Sequence, residues 1–377
     1  MLNRVAAEVF QPGEFIREEL EARGWTQEDL AQIMGRPLRL VNELVNAKKQ
    51  ITPETARGLA DAFGTSALYW MNLDSVYRLP NCEPADKRVS RRAHLYDKFP
   101  VREMTKRHWI EQSENLEVTE RRVLQFFNLK SLDENPVLPH ATKATDYDER
   151  TPLQLAWLFR AKQLAEAAPV SGSYRPAKLH AAIKKLTELL ISPEEIRQVP
   201  AILAAAGVRF VIVEFLPNSK IDGAAFWLNP DSPAIALAIR FDRINNFWFV
   251  LRHEIEHILN CDGQHIDIEL SERLERSEPL PKAEELANEA AAEFCVPESE
   301  LQNFIIRVRP LYSEQHILLF AKRIHVHPGL VVGRLQYRKE VPYTHFHKHL
   351  VRIREIITRT ALTDGWGTTP PLHSNGA

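Results

Sequence analysis

Between Thr26 and Ser66 the chain repeatedly starts and stops a helix. Thr26 reads as an N-cap for Gln27–Met34, with Asp29 at the third helical position. Gly35 ends that helix, and Pro37 fits the first turn of the next, Pro37–Asn46. Thr52-Pro53-Glu54 is a further start, Gly64 a further stop, and Ser66 opens a last helix. Apolar residues recur at helical spacing inside these bounds: Phe15, Ile16 and Leu20, then Leu40, Val41, Leu44 and Val45, then Ala56, Leu59, Ala60 and Phe63. A chain punctuated this often reads as a bundle of short helices over its first 79 residues.

Gln27–Met34, Gly35 and Pro37–Asn46 have the length and punctuation of a helix-turn-helix. Its apolar positions pack the two helices together, which leaves Arg36, Leu38, Arg39, Asn42, Asn46, Lys48 and Lys49 to face outward. Arg and Asn can pair bidentately with guanine and adenine edges, and Lys suits phosphates. Gln27, at the start of the first helix, can reach phosphate through its amide and the helix N-terminus. The whole chain has a net charge of −2, and residues 1–79 carry nine basic and eleven acidic side chains, so any contact with nucleic acid must be local. The stretch LVNAKKQITPETARGLADAFGTSALYWMNL resembles the lambda-repressor-type fold of addiction-module antitoxins, over about residues 10–79. The resemblance implies a homodimer on double-stranded operator DNA, with a cognate toxin as a further partner. Arg36-Pro37-Leu38 departs from it, because the family begins its recognition helix with a small polar residue. That departure bears on the operator sequence. A helical module that only dimerises is the alternative.

A second signal is His253-Glu254-Ile255-Glu256-His257. It lies in an apolar-periodic segment, Arg243–Asn260, so His253 and His257 project from one face of a helix. Two imidazoles so placed can bind one Zn²⁺, and Glu254 beside them can take a proton from an attacking water. A catalytic zinc needs a third protein ligand, and Cys261, Asp262, His265, Glu269 and Glu284 are in range. Three ligands spaced four apart on one straight helix cannot converge, which disfavours Cys261. His265 requires the chain to fold back near Gly263. Glu284 sits on a second helix whose face also carries Ala287, Asn288 and Ala291, small enough for close approach, and this geometry favours it.

The segment from Lys178 to Arg338 resembles the ImmA/IrrE family of zinc metallopeptidases through NNFWFVLRHEIEHILN, EELANEAAAEFCVP and FAKRIHVHPGLVVGRLQ. In that family the Glu of an E-x-x-A-N stretch is the third zinc ligand, which implies Glu284 here. The resemblance also implies endoproteolysis of a regulatory protein of the lambda-repressor type, either a partner or the chain itself, under stress or in mobile-element control. Glu256 stands where many relatives carry Gly. The rival reading is an antitoxin-like regulator whose zincin fold senses a ligand without cutting. In a zincin an edge strand beside the metal helix takes the substrate as an added strand, and Ala224–Asn229 or Ala234–Arg240 would serve.

Together these readings give an α+β, mainly helical chain: a helix-turn-helix bundle at 10–79, a basic and helical connector at 80–177, a zincin-like metallopeptidase with a small sheet at 178–340, and an extension at 341–377 with a disordered tail from Thr363. The connector holds a surplus of five positive charges between Asp86 and Arg107, read as a solvated face or a secondary phosphate contact. Cys82, Cys261 and Cys295 are too few and too odd for a disulfide framework, which favours a reducing cytoplasm. No signal peptide and no membrane-spanning run is read, so no membrane partner is expected. His345, His347 and His349 alternate as on a strand and read as surface residues rather than a second metal site. His325 and His327 are candidates for an oxyanion donor; Trp227, Trp248 and Phe249 read as core, and Cys295 as a buried structural thiol.

Overall fold

A computed structural model describes residues 10–81, 87–136, 150–261, 265–268 and 281–365, with the backbone alone for 81, 87 and 265–268. The chain divides into two compact units, 1–90 and 91–377.

The first unit is the expected bundle: α1 (Pro12–Arg23), α2 (Gln27–Met34), α3 (Leu38–Val45), α4 (Pro53–Phe63) and α5 (Ala67–Arg78). The start signals act as caps. Thr26 accepts from the Asp29 amide at 3.1 Å while the Asp29 carboxylate accepts from the Thr26 amide at 2.7 Å, a reciprocal capping box. Thr52 and Ser66 cap α4 and α5 by accepting from the Thr55 and Tyr69 amides, without the return bond. Gly35 stops α2 at φ 61°, a left-handed conformation that glycine adopts without a Cβ clash. Pro37 differs slightly from expectation. It is the N-cap residue, and α3 starts at Leu38. Ile16, Leu30, Val41, Leu44, Leu59 and Trp70 fill one core, and the Trp70 indole donates to Thr65 Oγ1 at 2.8 Å.

The second unit begins with α6 (Lys87–Lys98), which crosses the boundary, then α7 (Val101–Lys106), α8 (Leu116–Phe127), α9 (Pro152–Ala167), α10 (Pro176–Glu188) and α11 (Val199–Ala205). Strands β1 (Arg209–Ile212), β2 (Ile221–Trp227) and β3 (Pro233–Leu237) precede α12 (Ile244–Asn260) and β4 (His265–Ile268). Helices α13 (Lys282–Cys295), α14 (Glu298–Val308), α15 (Glu314–Arg323), α16 (Pro328–Tyr337) and α17 (Arg354–Ile357) follow, and β5 (Leu362–Thr363) ends the unit. The sheet runs β4-β2-β3-β1-β5. β1 is parallel to β3 and β5, and β2 is antiparallel to β3 and β4. The short apolar strands β1, β2 and β3 are buried on both faces, as a sheet covered by helices requires. Val211, Ala234 and Ala236 face Phe127, Trp157 and Leu158; Phe210, Ile235 and Leu237 face Trp248, Leu251 and Ile255 on α12. This gives three layers: helices, sheet, helices.

That architecture corrects three expectations. The helical stretch read as a connector, which could pack onto the peptidase, is an integral part of the unit: α6–α9 form the layer on one face of the sheet. Trp157 donates to Val213 O at 2.9 Å and Gln154 to Ser219 O at 3.0 Å, both buried. Several of the basic residues are structural ties as well: Lys98 donates to Leu132 O at 2.7 Å, Arg107 to Phe215 O at 3.0 Å, and Arg91 pairs with Glu120. The extension from 341 also belongs to the unit: Val341, Leu350, Ile353 and Ile357 are core, β5 pairs with β1, and Trp109 donates to Asp364 at 3.3 Å. So Thr363 is strand rather than tail, and residues 366–377 lie outside the described residues. Lastly, β2 and β3 are interior strands, and among the described residues the edges of the sheet are β4 and β5. Ala234–Leu237 is paired on both sides, and of Ala224–Asn229 only Ala224 and Ala225 are held by β4 among the described residues.

Candidate metal centre and nucleic-acid interface

Helix α12 is buried along most of its length by Ile244, Phe247, Trp248, Leu251, Ile255 and Ile258. His253, Glu254 and His257 share that burial, each no more than 1% exposed. The small side chains of α13 meet it: Ala287 and Ala291 are fully buried, and Glu284 lies one turn before them on the same face. The helices therefore approach closely enough for Glu284 to reach the histidines. His253 Nε2 and His257 Nε2 stand 2.9 Å apart; Glu284 Oε2 is 3.7 Å from the first and Glu284 Oε1 is 3.6 Å from the second. Ligand atoms at about 2.0–2.1 Å around a tetrahedral ion lie about 3.4 Å from one another, so this donor set fits zinc in type and spacing. It is the one cluster of three or more potential ligands among the described residues.

The Glu254 carboxylate lies against Gly223 of β2. A lone glycine inside an apolar strand pattern is the sequence mark of a bulge or a close approach, and that mark at Gly223 was there to be read. Glu256 is half-buried and pairs with Arg252 at 2.7 Å, one helical turn back. Of the other ligand candidates, Cys261 is the exposed C-cap of α12 in the left-handed conformation, and His265 belongs to β4. Asp262 and Glu269 lie outside the described residues.

His327 is not brought to the cluster. It caps α16, accepting from the Gly329 amide at 3.0 Å, and it lies near Ile244 at the far end of α12, about 13 Å of helix rise from His253. Burial holds its imidazole below the usual histidine range. His325 is exposed. His347–His349 form a 3-10 turn rather than a strand, and His349 bonds to Glu314 at 3.1 Å. Trp248 is core, Trp227 packs on Tyr174, and Phe249 sits beside the His253 ring. Burial pushes the Cys295 thiol up to about 12, as an inert structural thiol requires.

On the first unit, Leu38, Arg39, Asn42, Asn46, Lys48 and Lys49 are exposed and Gln27 and Arg36 half-buried, all on the α2–α3 side. Asn42 donates to Gln27 Oε1 at 3.3 Å, and Asn46 donates to Asn42 O at 2.8 Å. These bonds align the three amides along the first turn of α2 and the outer face of α3. Arg39 pairs with Glu43 at 2.9 Å and holds that carboxyl below the usual range; Arg36 pairs with Glu54. Sequence reasoning missed Arg78 and Asp74. Arg78 is held by Asp74 at 2.9 Å and donates to Lys49 O at 2.7 Å and Ala47 O at 3.3 Å, fixing the turn that carries Lys48 and Lys49. Nothing local in the sequence marks that tie, because it spans 29 residues.

Residues 16–70 match the family model described as helix-turn-helix. The chain is 36% identical over 73 residues to virulence-associated protein I of Dichelobacter nodosus, covering 19% of this chain and 68% of that protein. Among solved structures it is similar to the Pseudomonas aeruginosa antitoxin HigA with the higBA promoter, at 33% identity, 20% of this chain, 82% of that one and a TM-score of 0.19. A Pseudomonas aeruginosa protein in complex with its operator DNA matches at 32% identity, 20% of this chain, 83% of that one and a TM-score of 0.20. No helix among the described residues is long and apolar enough to cross a membrane.

Proposed function

Through residues 16–70 the chain belongs to the helix-turn-helix family, and on that premise we propose that it is a DNA-binding regulator whose second unit is a zinc-dependent endopeptidase. Helix α3 enters the major groove of a double-stranded operator, where Asn42 and Asn46 read base edges and Lys48 and Lys49 hold phosphates. Arg36 and Arg39 exchange their carboxylate partners for phosphate or base on binding. A homodimer on a palindromic site follows from the antitoxin-like segment, as does a cognate toxin as partner.

The peptidase half rests on one observation, the meeting of His253, His257 and Glu284 beside Glu254. His253, His257 and Glu284 would hold a zinc ion, and the chemistry it would supply is Lewis acidity toward water and the scissile carbonyl. Glu254 accepts a proton at its carboxylate from the attacking water and returns it to the leaving amine nitrogen. The surrounding apolar core keeps bulk water away and strengthens every charge interaction there. The substrate is a regulatory protein, either a helix-turn-helix partner or the chain itself.

Metal analysis of wild type and Glu284→Ala tests this, followed by a proteolysis assay on Glu254→Gln. One tightly held zinc per chain is expected, weakened by Glu284→Ala. Glu254→Gln is expected to keep zinc and lose cleavage. Absence of zinc from wild type purified with metal supplied would overturn the metal assignment. For the first unit, Asn42→Ala is expected to weaken operator binding by about 1–3 kcal/mol, read by fluorescence anisotropy at fixed salt. An unchanged affinity would remove Asn42 from the interface.

One observation favours a second reading. His253 is 0% and Glu284 3% exposed, so the site suits a metal sensor that does not cut. Stoichiometric zinc, with zinc-dependent DNA binding and no proteolysis, would establish that reading instead.

A further inference from the structure

We propose that Gly223 is a positioning residue for Glu254: its missing side chain is the space in which the carboxylate lies. The inference rests on the peptidase reading. Gly223 sits on β2 where the pairing with β4 shifts register, between Ile221 and Gly223. Its φ lies outside the left-handed region, so backbone freedom is not why glycine stands there. Space is the reason. A Cβ built on Gly223 would stand 2.9 Å from Val250 Cγ1 and 3.1 Å from Glu254 Cδ, and closer still to Glu254 Oε1. Val250 and Glu254 are one turn apart on α12, so both flank the same point of the strand.

If a methyl group is added, something must move. The β2 backbone is paired on both sides, with Leu237 of β3 and Asp267 of β4 opposite Gly223. Val250 Cγ1 must give by a few tenths of an ångström, whereas the Glu254 carboxylate, the closer group and the far end of a side chain with three rotatable bonds, must move further. None of the three ligands is among the atoms nearest the added carbon. An alanine at 223 therefore displaces the base and leaves the metal ligands in place. A misplacement of about 1 Å in a reacting group can cost about 100-fold in rate.

The test has two readouts. Gly223→Ala is expected to hold as much zinc as wild type, with kcat lowered about 10- to 100-fold and KM within about twofold. The second readout is the Tm of the metal-free protein in a double-mutant cycle. Gly223→Ala is expected to lower Tm when Glu254 is present and to cost much less in an Glu254→Ala background, where the carboxylate no longer contests the space. A wild-type kcat in Gly223→Ala, or an equal fall in Tm in both backgrounds, overturns the proposal. If wild type cleaves no peptide, the peptidase reading fails, and the Tm cycle still decides whether Gly223 holds the place of the carboxylate.

Discussion

The side chains assigned to DNA in the first unit lie between Gln27 and Lys49 and face water, whereas those assigned to metal in the second unit are buried and drawn from two helices, with a strand against them. The first unit packs one core and holds its helix ends with caps three residues long in reach. The second has a core on each face of its sheet, and its polar groups sit inside. The difference teaches where each function gets its precision. An exposed face needs only a rigid local frame, because its partner arrives from solvent. A buried polar cluster carries a desolvation cost and stays in place only because packed neighbours surround it.

The largest expected effect tests whether 91–168 truly belongs to the second unit. Trp157 is fully buried and its indole bonds to Val213 O. Trp157→Ala is expected to cost the unit about 3–5 kcal/mol, read as a lowered denaturation midpoint. A loss under about 1 kcal/mol would return α9 to the status of a connector.

The next contrast is in pH dependence. Burial, only partly offset by Arg354 at 3.5 Å, pushes the Glu214 carboxyl up to about 7 from an ordinary 4.5. The folded unit then binds more protons than the unfolded chain between these values, so it loses stability as pH rises from about 4.5 to about 7. Glu214→Gln is expected to remove that loss, so its advantage over wild type appears as pH rises through this window and then stays level. In the first unit the sign is reversed: the Thr26 amide and hydroxyl hold the Asp29 carboxyl below its usual range. Stability from that pair is present at neutral pH and is lost as pH falls through the lowered value. Urea unfolding of both units from about pH 2.5 to 8 separates the two signs; a wild-type-like profile in Glu214→Gln would remove Glu214 as the cause.

The smallest effect sharpens the local side of the comparison. Thr26→Ala deletes one cap and is expected to cost the first unit about 1 kcal/mol, measured by thermal unfolding. A cost several times larger would mean that the capping box carries tertiary weight as well.

The helix-turn-helix was legible because its signals are local: Thr26, Gly35, Thr52, Gly64 and Ser66 act on backbone groups within a few residues. The pair His253 and His257 was legible for the same reason, since a spacing of four settles their common face on any helix. Glu284 was legible through the small residues beside it and the family resemblance.

What the sequence by itself determined, then, is which short helices form, where they end, and which faces carry amides, cations and imidazoles. The tertiary structure alone decided that the charged run after Asp86 contributes a layer over a sheet, that the two-residue strand Leu362–Thr363 pairs with β1, and that Gly223 lies against Glu254. The physical reason is range. Caps and helical periodicity act over three or four residues, whereas sheet pairing, the second core and the room for a buried carboxylate depend on contacts between segments far apart in the chain.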